Sequence, residues 1–334
     1  MDNTQFWIDH FSETSDELSQ KFIELNANSL REILPEYKLG TEEIHSYESA
    51  ENRVFKVGDT VFKFYRPGRW TLEAIRQEVL FLNDLREENI SAVRPIDNVK
   101  SWNGIHYVAY ESINIPFNET PEILSEESVK KLSHLMAKIH NVGIKREADE
   151  RPQFDAESMT TGCFHVIDKA GFLPKDLYKR YDGILSVIVN KLDQYKDVPN
   201  QRIHGDAYSG NVVWKSDNPI FLDFDDFQVG PKAMDLRLLS FPWRLDTLSE
   251  KMDRKERREI QHQMVLDYYR EVSDFPNEWE GMFPLMSAYR NIQFDAWFSS
   301  RWSLPGFAEN YEDDDITKPE WWSENIDALE GLLS

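Results

Sequence analysis

The chain has 334 residues, with 60 acidic against 38 basic side chains and a formal net charge of −22 at pH 7. That balance excludes a nucleic-acid backbone or an anionic membrane as partner, because both require a basic face. With 40% hydrophobic residues and no apolar run near the roughly 18 residues of a membrane span, it reads as a globular protein, large enough for two lobes around a cleft. A lone cysteine, Cys163, cannot form an internal disulfide, and the opening MDNTQFWIDHFSETSDELSQ is acidic where a secretory signal is basic and then apolar. A cytoplasmic monomer is the expectation.

Residues Ser15 to Leu34 carry Leu18, Phe22, Leu25 and Ile33 at helical spacing and stop at Pro35, which predicts one amphipathic helix lying as a lid on the core. Short strands follow: Val54 to Val57, a turn at Gly58 and Asp59, then Val61 to Tyr65. In the second strand Lys63 shares a face with Val61 and Tyr65, while Phe62 and Phe64 point the other way. A lone lysine on an apolar strand is ordinarily a snorkelling edge residue. The next element changes the balance. Thr71 caps a helix with the stripe Ile75, Val79, Leu82 and Leu85, and Glu78 falls on that stripe, where a carboxylate requires a partner. Lys63 is the candidate, and a lysine held by a glutamate is how kinases grip nucleotide phosphates.

Val93 to Val99 and Ile105 to Ile113 read as two more strands around a turn at Trp102, Asn103 and Gly104. The stretch Ile115 to Pro121 reads as a connector between a first lobe, 1–113, and a second, 114–334. Free backbone groups near Glu111, Ser112 and Ile113 are expected to meet an adenine edge. Past the connector, Val129, Leu132, Leu135, Met136 and Ile139 form a helical stripe capped by Ser125 and closed at Gly143. His140, at its end, is given a packing or capping role. Arg146 to Met159 reads as a polar loop and Leu177 to Tyr195 as a helix.

The chemistry gathers in RIHGDAYSGNVVW, Arg202 to Trp214, and IFLDFDD, Ile220 to Asp226. Phosphoryl transfer needs a base for the acceptor hydroxyl and hard oxygen ligands for Mg²⁺. Asp206 suits the first role and Asn211 and Asp223 the second, with Asp206 and Asp223 as the catalytic pair. Gly205 and Gly210 are expected to permit tight turns, and Ser216 to Pro219 to close a hairpin. Each residue alone fits an ordinary turn-rich hairpin with surface acids; combined with Lys63 and Glu78 upstream, the set does not. Asp225 and Asp226 read either as support or as solvated charge and stay outside the site. Asp235, early in a helix reaching about Phe241, either favours the helix start or braces the catalytic loop. Arg254 to Val272, Glu278 to Trp302 and Trp321 to Leu333 read as helices, and the acidic run Glu312 to Asp315 as a solvated loop.

HGDAYSGNVVW followed by FLDFDD resembles the aminoglycoside phosphotransferase and choline kinase branch of the protein-kinase-like fold. ENRVF (Glu51 to Phe55), VFKFYRPGRWT (Val61 to Thr71), GPKAMDL (Gly230 to Leu236) and AWFSSRW (Ala296 to Trp302) narrow this to the bacterial stress response kinase A family, cytoplasmic Ser/Thr protein kinases, from about Ser46 to near the C-terminus. The resemblance implies a bilobal α+β fold, with a small antiparallel-sheet lobe carrying one main helix and a larger, mostly helical lobe. It implies ATP and Mg²⁺ as cofactors, Asp206 as base, Asn211 and Asp223 on the metal, Lys63 on the phosphates and Glu78 orienting Lys63. Ser49 matches a nucleotide-proximal serine of the family. Extra residues before Glu51 make Ser46 its competitor, and the phosphate-covering turn lacks the glycines of ordinary protein kinases. Eleven residues separate Asp223 from Asp235, with no segment resembling an activation loop. The acceptor is therefore a protein Ser/Thr hydroxyl or the hydroxyl of a small cationic metabolite; a nucleotide-binding pseudokinase is the third reading.

Overall fold

The computed structural model describes all residues except 1–2, 13–16, 41, 48–50, 116–122, 240–242, 250, 305–306 and 312–313. The N-terminal half comprises α1 (Asn3–Phe11), α2 (Glu17–Glu24), α3 (Ala27–Leu30), β1 (Ile44–Tyr47), β2 (Arg53–Val57), β3 (Thr60–Phe64), α4 (Leu72–Glu87), β4 (Lys100–Trp102) and β5 (Ile105–Glu111). The single helix expected over Ser15 to Leu34 is broken. Asn26 accepts from the N–H groups of Asn28 and Ser29 and starts α3 afresh, and Pro35 sits in the first turn of a 3₁₀ segment, Leu34–Tyr37, instead of ending a helix.

The strands form one antiparallel sheet in the order β1-β2-β3-β5-β4. Alternation assigns its faces. Phe55, Val57, Phe62, Phe64 and Tyr107 pack beneath Phe22, Leu25, Leu30 and Ile33, so the N-terminal segment does cover a core. Tyr65, Val108 and Tyr110 turn to the other face, toward Ile75, Val79 and Leu82 of α4, whose N-terminus is capped by Thr71 Oγ1. Val93 to Val99 does not form the expected strand. Only isolated bridges occur, Ala92 to Phe221 and Pro95 to Tyr110, because Pro95 has no N–H for a ladder. The hairpin turn before β5 is as expected, with Asn103 at φ 49° and Gly104 at φ 89°.

The second half contains β6 (Ile123–Leu124), α5 (Glu126–Gly143), α6 (Ala156–Ala170), α7 (Tyr178–Leu192), β7 (Gln201–Ile203), β8 (Val212–Lys215), β9 (Asn218–Phe221), β10 (Gln228–Gly230), α8 (Ala233–Leu239), β11 (Arg244–Leu245), α9 (Arg254–Arg270), α10 (Met282–Arg301) and α11 (Pro319–Leu333). α10 is the axis of this half: it packs on α6, α7, α8 and α11 and buries Met282, Leu285, Tyr289, Ile292 and Ala296. α6 was not anticipated. The polar stretch from Arg146 ends at Asp155, whose carboxylate caps the Glu157 and Ser158 N–H groups, and a sequence rich in Ser, Thr and Gly gives a weak helical signal. α1 was likewise unexpected. It packs on α6, where a Cβ on Gly162 would lie 2.6 Å from Trp7 Cβ, so the chain begins on the helical half before crossing to the sheet. Among the described residues, no helix is long and apolar enough to cross a membrane.

Candidate active site

The hairpin β8–β9 pairs Val212 with Phe221, and Leu222 N–H donates to Asn211 O at 2.8 Å. Asn211 and Asp223 therefore meet at one end of the hairpin. Asp223 adopts φ 53°, a left-handed conformation uncommon outside glycine and asparagine-like residues. Before β8 the chain turns at Gly205, φ 83°, where a Cβ would lie 2.1 Å from Asp226 O, so only glycine fits. Gly210 differs from expectation: its φ is not in the left-handed region, and its missing side chain instead makes room for the Tyr208 ring, 2.3 Å from a built Cβ.

Asp235 braces this loop. Its carboxylate accepts from His204 N–H at 2.7 Å and Gly205 N–H at 2.9 Å and faces His140 Nε2 at 3.0 Å. Burial lowers the pKa of His140, against the pull of Asp235; the neutral ring then donates from Nε2 and accepts from Tyr269 OH at Nδ1, 2.8 Å away. The structural role expected of His140 is this one.

Asp206 lies between two partners. Its Oδ2 accepts from Asn211 Nδ2 at 3.0 Å and its Oδ1 pairs with Arg290 Nη2 of α10 at 2.5 Å. Burial raises the carboxyl pKa, while the Arg290 charge pulls it back. On the sheet half, Lys63 Nζ lies 2.6 Å from Asp223 Oδ1, 3.1 Å from Asp225 Oδ1 and 3.8 Å from Glu78 Oε1. Burial works against the ammonium, but Asp223, Asp225 and Glu78 together keep its pKa well above the ordinary lysine value. Glu78 is the most distant of the three. Burial raises its pKa, and its Oε1 accepts from the Tyr65 and Tyr110 hydroxyls at 3.0 and 3.2 Å.

Several members of the site were not legible beforehand. Asp225 is buried and holds Asn52 Nδ2 and Arg69 Nη1, each at 3.1 Å, as well as Lys63. Burial alone would raise its pKa; the cations Lys63 and Arg69 hold it well below the carboxylate range. Arg69 also reaches Asp226 at 2.6 Å, so both acids left outside the site are structural partners of the sheet half. Arg151 donates to Phe227 O at 2.8 Å and to Asp225 O, with its guanidinium 3.9 Å from the Trp70 ring centre. Glu51 joins the halves, accepting from Arg66 at 3.1 Å, Arg301 Nε at 3.2 Å and the Trp297 indole. Against the effect of burial, Arg69, Arg301 and Arg66 hold it at about 2. Asn52, Arg69 and Glu51 lie inside the quoted motifs, which gave a position but no partner. Arg290 carried no local signal.

The expectation for the connector needs correction. The Glu111 N–H donates to Arg94 O at 2.9 Å and the Ser112 N–H to Asp59 O at 2.8 Å, while Ile113 O accepts from Lys215 Nζ at 3.2 Å. These groups are engaged, because the chain folds back on the β2–β3 turn instead of running free. Ser49 and most of the stretch Ile115 to Pro121 lie outside the described residues; Ser46, the competitor of Ser49, is in β1, paired with Phe55. Among the described residues no group of three or more His, Cys, Asp or Glu side chains is placed to hold a metal. Asn211 and Asp223 bring their side-chain oxygens to one end of the β8–β9 hairpin.

Residues 43–272 match the model of the phosphotransferase enzyme family. A serine/threonine protein kinase RdoA of Salmonella typhimurium is 28% identical, covering 85% of this chain and 84% of that protein. A stress response kinase A of Escherichia coli strain K12 is 26% identical over the same shares. Among solved structures, an amicoumacin kinase in complex with AMP-PNP, Ca²⁺ and Ami superposes with a TM-score of 0.71 at 15% identity, covering 93% of this chain and 95% of that one. A microcompartment-associated aminopropanol kinase gives 0.70 at 16% identity, covering 92% and 95%. A protein-kinase-like fold that pairs Lys63 with Asp223 and Asp206 with Asn211, and a family match over residues 43–272, place this chain in the phosphotransferase enzyme family.

Proposed function

We propose that the chain is an ATP- and Mg²⁺-dependent kinase that phosphorylates Ser/Thr hydroxyls of proteins. The cleft between the sheet half and the helical half, which divide near residue 113 with α1 counted in the second, receives the nucleotide. Lys63 takes the phosphates, and Glu78 holds Lys63 with help from the Tyr65 and Tyr110 hydroxyls. Ser49 or Ser46 is the further nucleotide contact. The donor set fits Mg²⁺: Asn211 uses its Nδ2 on Asp206 and keeps Oδ1, and Asp223 adds a carboxylate. One or two protein oxygens completed by phosphates and water are what this cation ordinarily takes. When bound, it supplies charge neutralisation on the phosphate oxygens. Asp206 accepts the acceptor proton, oriented by Asn211 and seated by Asp235 through the loop N–H groups.

The observation that favours a protein hydroxyl over a cationic metabolite is the Arg290 guanidinium 2.5 Å from Asp206, a charge that disfavours a cationic acceptor there. The likeness to proteins named Ser/Thr protein kinase and stress response kinase A agrees with it, and a cytoplasmic monomer acting in a stress response is the setting it implies. The second reading, a small-molecule hydroxyl kinase, is supported by the short link between Asp223 and α8 and by the named substrates of the two structural neighbours. Incubation with γ-labelled ATP, dephosphorylated casein and a panel of small alcohols and amino alcohols tests the choice. Label on casein or on the kinase itself supports the first reading, and label only on a small hydroxyl compound overturns it.

A further inference from the structure

The loop from Gly205 to Trp214 contains neither lysine nor arginine, so nothing within it neutralises charge on a phosphoryl group moving toward Asp206. The cations on the nucleotide side are committed elsewhere, Lys63 to Asp223, Asp225 and Glu78 and Arg69 to Asp225 and Asp226. Arg290 stands apart from them. It reaches the loop from α10, with Nη2 2.5 Å from Asp206 Oδ1, and its Nη1 makes only a long bond of 3.3 Å to Gln293 Oε1. The guanidinium lies 4.8 Å from the Phe294 ring centre, and Nε is buried without a hydrogen-bond partner. Phe294 and Tyr208 are themselves exposed large side chains. The guanidinium fork therefore keeps donors in reserve, a geometry suited to phosphate oxygens.

We propose that Arg290 is the phosphoryl-side cation of this active centre, a catalytic arginine supplied by α10 that bridges Asp206 and the equatorial oxygens of the phosphoryl group in flight. The proposal rests on the kinase reading above. In the step, the acceptor hydroxyl oxygen bonds to the γ-phosphorus and the bond from γ-phosphorus to the bridging oxygen breaks, its electron pair leaving with ADP. The hydroxyl proton passes to Asp206. Arg290 shares its donors between the carboxylate and the phosphoryl oxygens, so charge is stabilised where it develops, as in other arginine-assisted phosphoryl transfers. A purely structural Arg290 would only hold the Asp206 loop.

The two roles separate in binding measurements that need no acceptor. Arg290→Gln and Arg290→Lys are titrated in Mg²⁺ buffer with AMP-PNP, with ADP, and with ADP plus aluminium fluoride, which mimics the planar phosphoryl group. The expected result is that Arg290→Gln binds AMP-PNP within about twofold of the parent while the affinity that aluminium fluoride adds to ADP falls about a hundredfold, the scale of losing one transition-state donor. Arg290→Lys, a point charge without the fork, keeps part of that gain. Full retention of the gain in Arg290→Gln, or equal weakening of all three ligands, overturns the proposal. A parent protein that binds AMP-PNP poorly removes the kinase reading itself, and this inference with it.

Discussion

Lys63→Met removes the one ammonium held among three carboxylates, and the structure gives the scale of the effect. Breaking a buried ion pair by deleting one partner costs about 3–5 kcal/mol, because the remaining charge is left uncompensated. Two features place this case at the low end. Asp225 retains Arg69 and Asn52 and Glu78 retains two tyrosine hydroxyls, while the Asp223 side chain is 49% exposed, so its share is screened. A loss of about 3 kcal/mol at pH 8 follows, which moves a urea midpoint by about 1 M for a slope near 3 kcal/mol/M. The deficit narrows on acidification. Partial desolvation of this half-exposed carboxylate and the like charge of Asp225 already raise the Asp223 pKa well above the usual value, and removing Lys63 raises it further. A raised folded pKa gives stabilisation that is complete at low pH and lost as pH rises through it, so the variant recovers toward pH 5. Urea melts at pH 5 and 8, with AMP-PNP titrations alongside, measure both consequences. Equal midpoints for parent and variant at pH 8, together with unchanged nucleotide affinity, would refute the reasoning.

Two other outcomes follow from the same geometry. Asp206→Ala is expected to abolish turnover while sparing AMP-PNP affinity, since Asp206 faces Arg290 and Asn211 and not Lys63; labelled-phosphate transfer at the parent rate would sink the base assignment. Asp295, buried between Tyr181 OH at 2.6 Å and Asn325 Nδ2 at 2.7 Å, has its carboxyl pushed up by burial from 3.8 to about 7. Its folded pKa lies above the unfolded one, so its stabilisation is complete below the unfolded value and lost as pH rises through about 7. The full span is about 4 kcal/mol at 1.36 kcal/mol per unit. Asp295→Asn should flatten the decline of stability between pH 4 and 8; identical slopes in urea melts would contradict this.

The elements that could be read from the chain were those whose signal is local. The β2–β3 hairpin, the Thr71 cap and the stripe of α4 follow from alternation and 3.6-residue spacing, and the HGD and DFD segments announce their chemistry by residue type. Glu78 drew attention because a carboxylate on an apolar stripe is anomalous, and the anomaly pointed to Lys63. What escaped notice depends on contacts distant in sequence. Asp225 and Asp226 look like solvated acids until Arg69, 156 and 157 residues away, is brought onto them. Arg290 is an unremarked arginine on a helix until α10 delivers it to Asp206, 84 residues distant. α1 and α6 failed to register because each is held by the other, across the Gly162 contact, more than by a strong pattern of its own. Pro95 shows the reverse error, a segment, Val93 to Val99, read as a strand where the backbone lacked the donor to make one.

The central claim is that Asp223 and Asn211 hold the metal of a nucleotide gripped by Lys63. Thermal unfolding of the parent and of Asp223→Ala with ATP, with and without Mg²⁺, tests it most directly. At a hundredfold the dissociation constant, ligand should stabilise the parent by about 2.7 kcal/mol, in a manner that requires Mg²⁺, and the variant should lose that Mg²⁺-dependent part. A parent whose unfolding is unmoved by ATP over a wide range, or a variant that keeps the full Mg²⁺-dependent shift, would contradict the account.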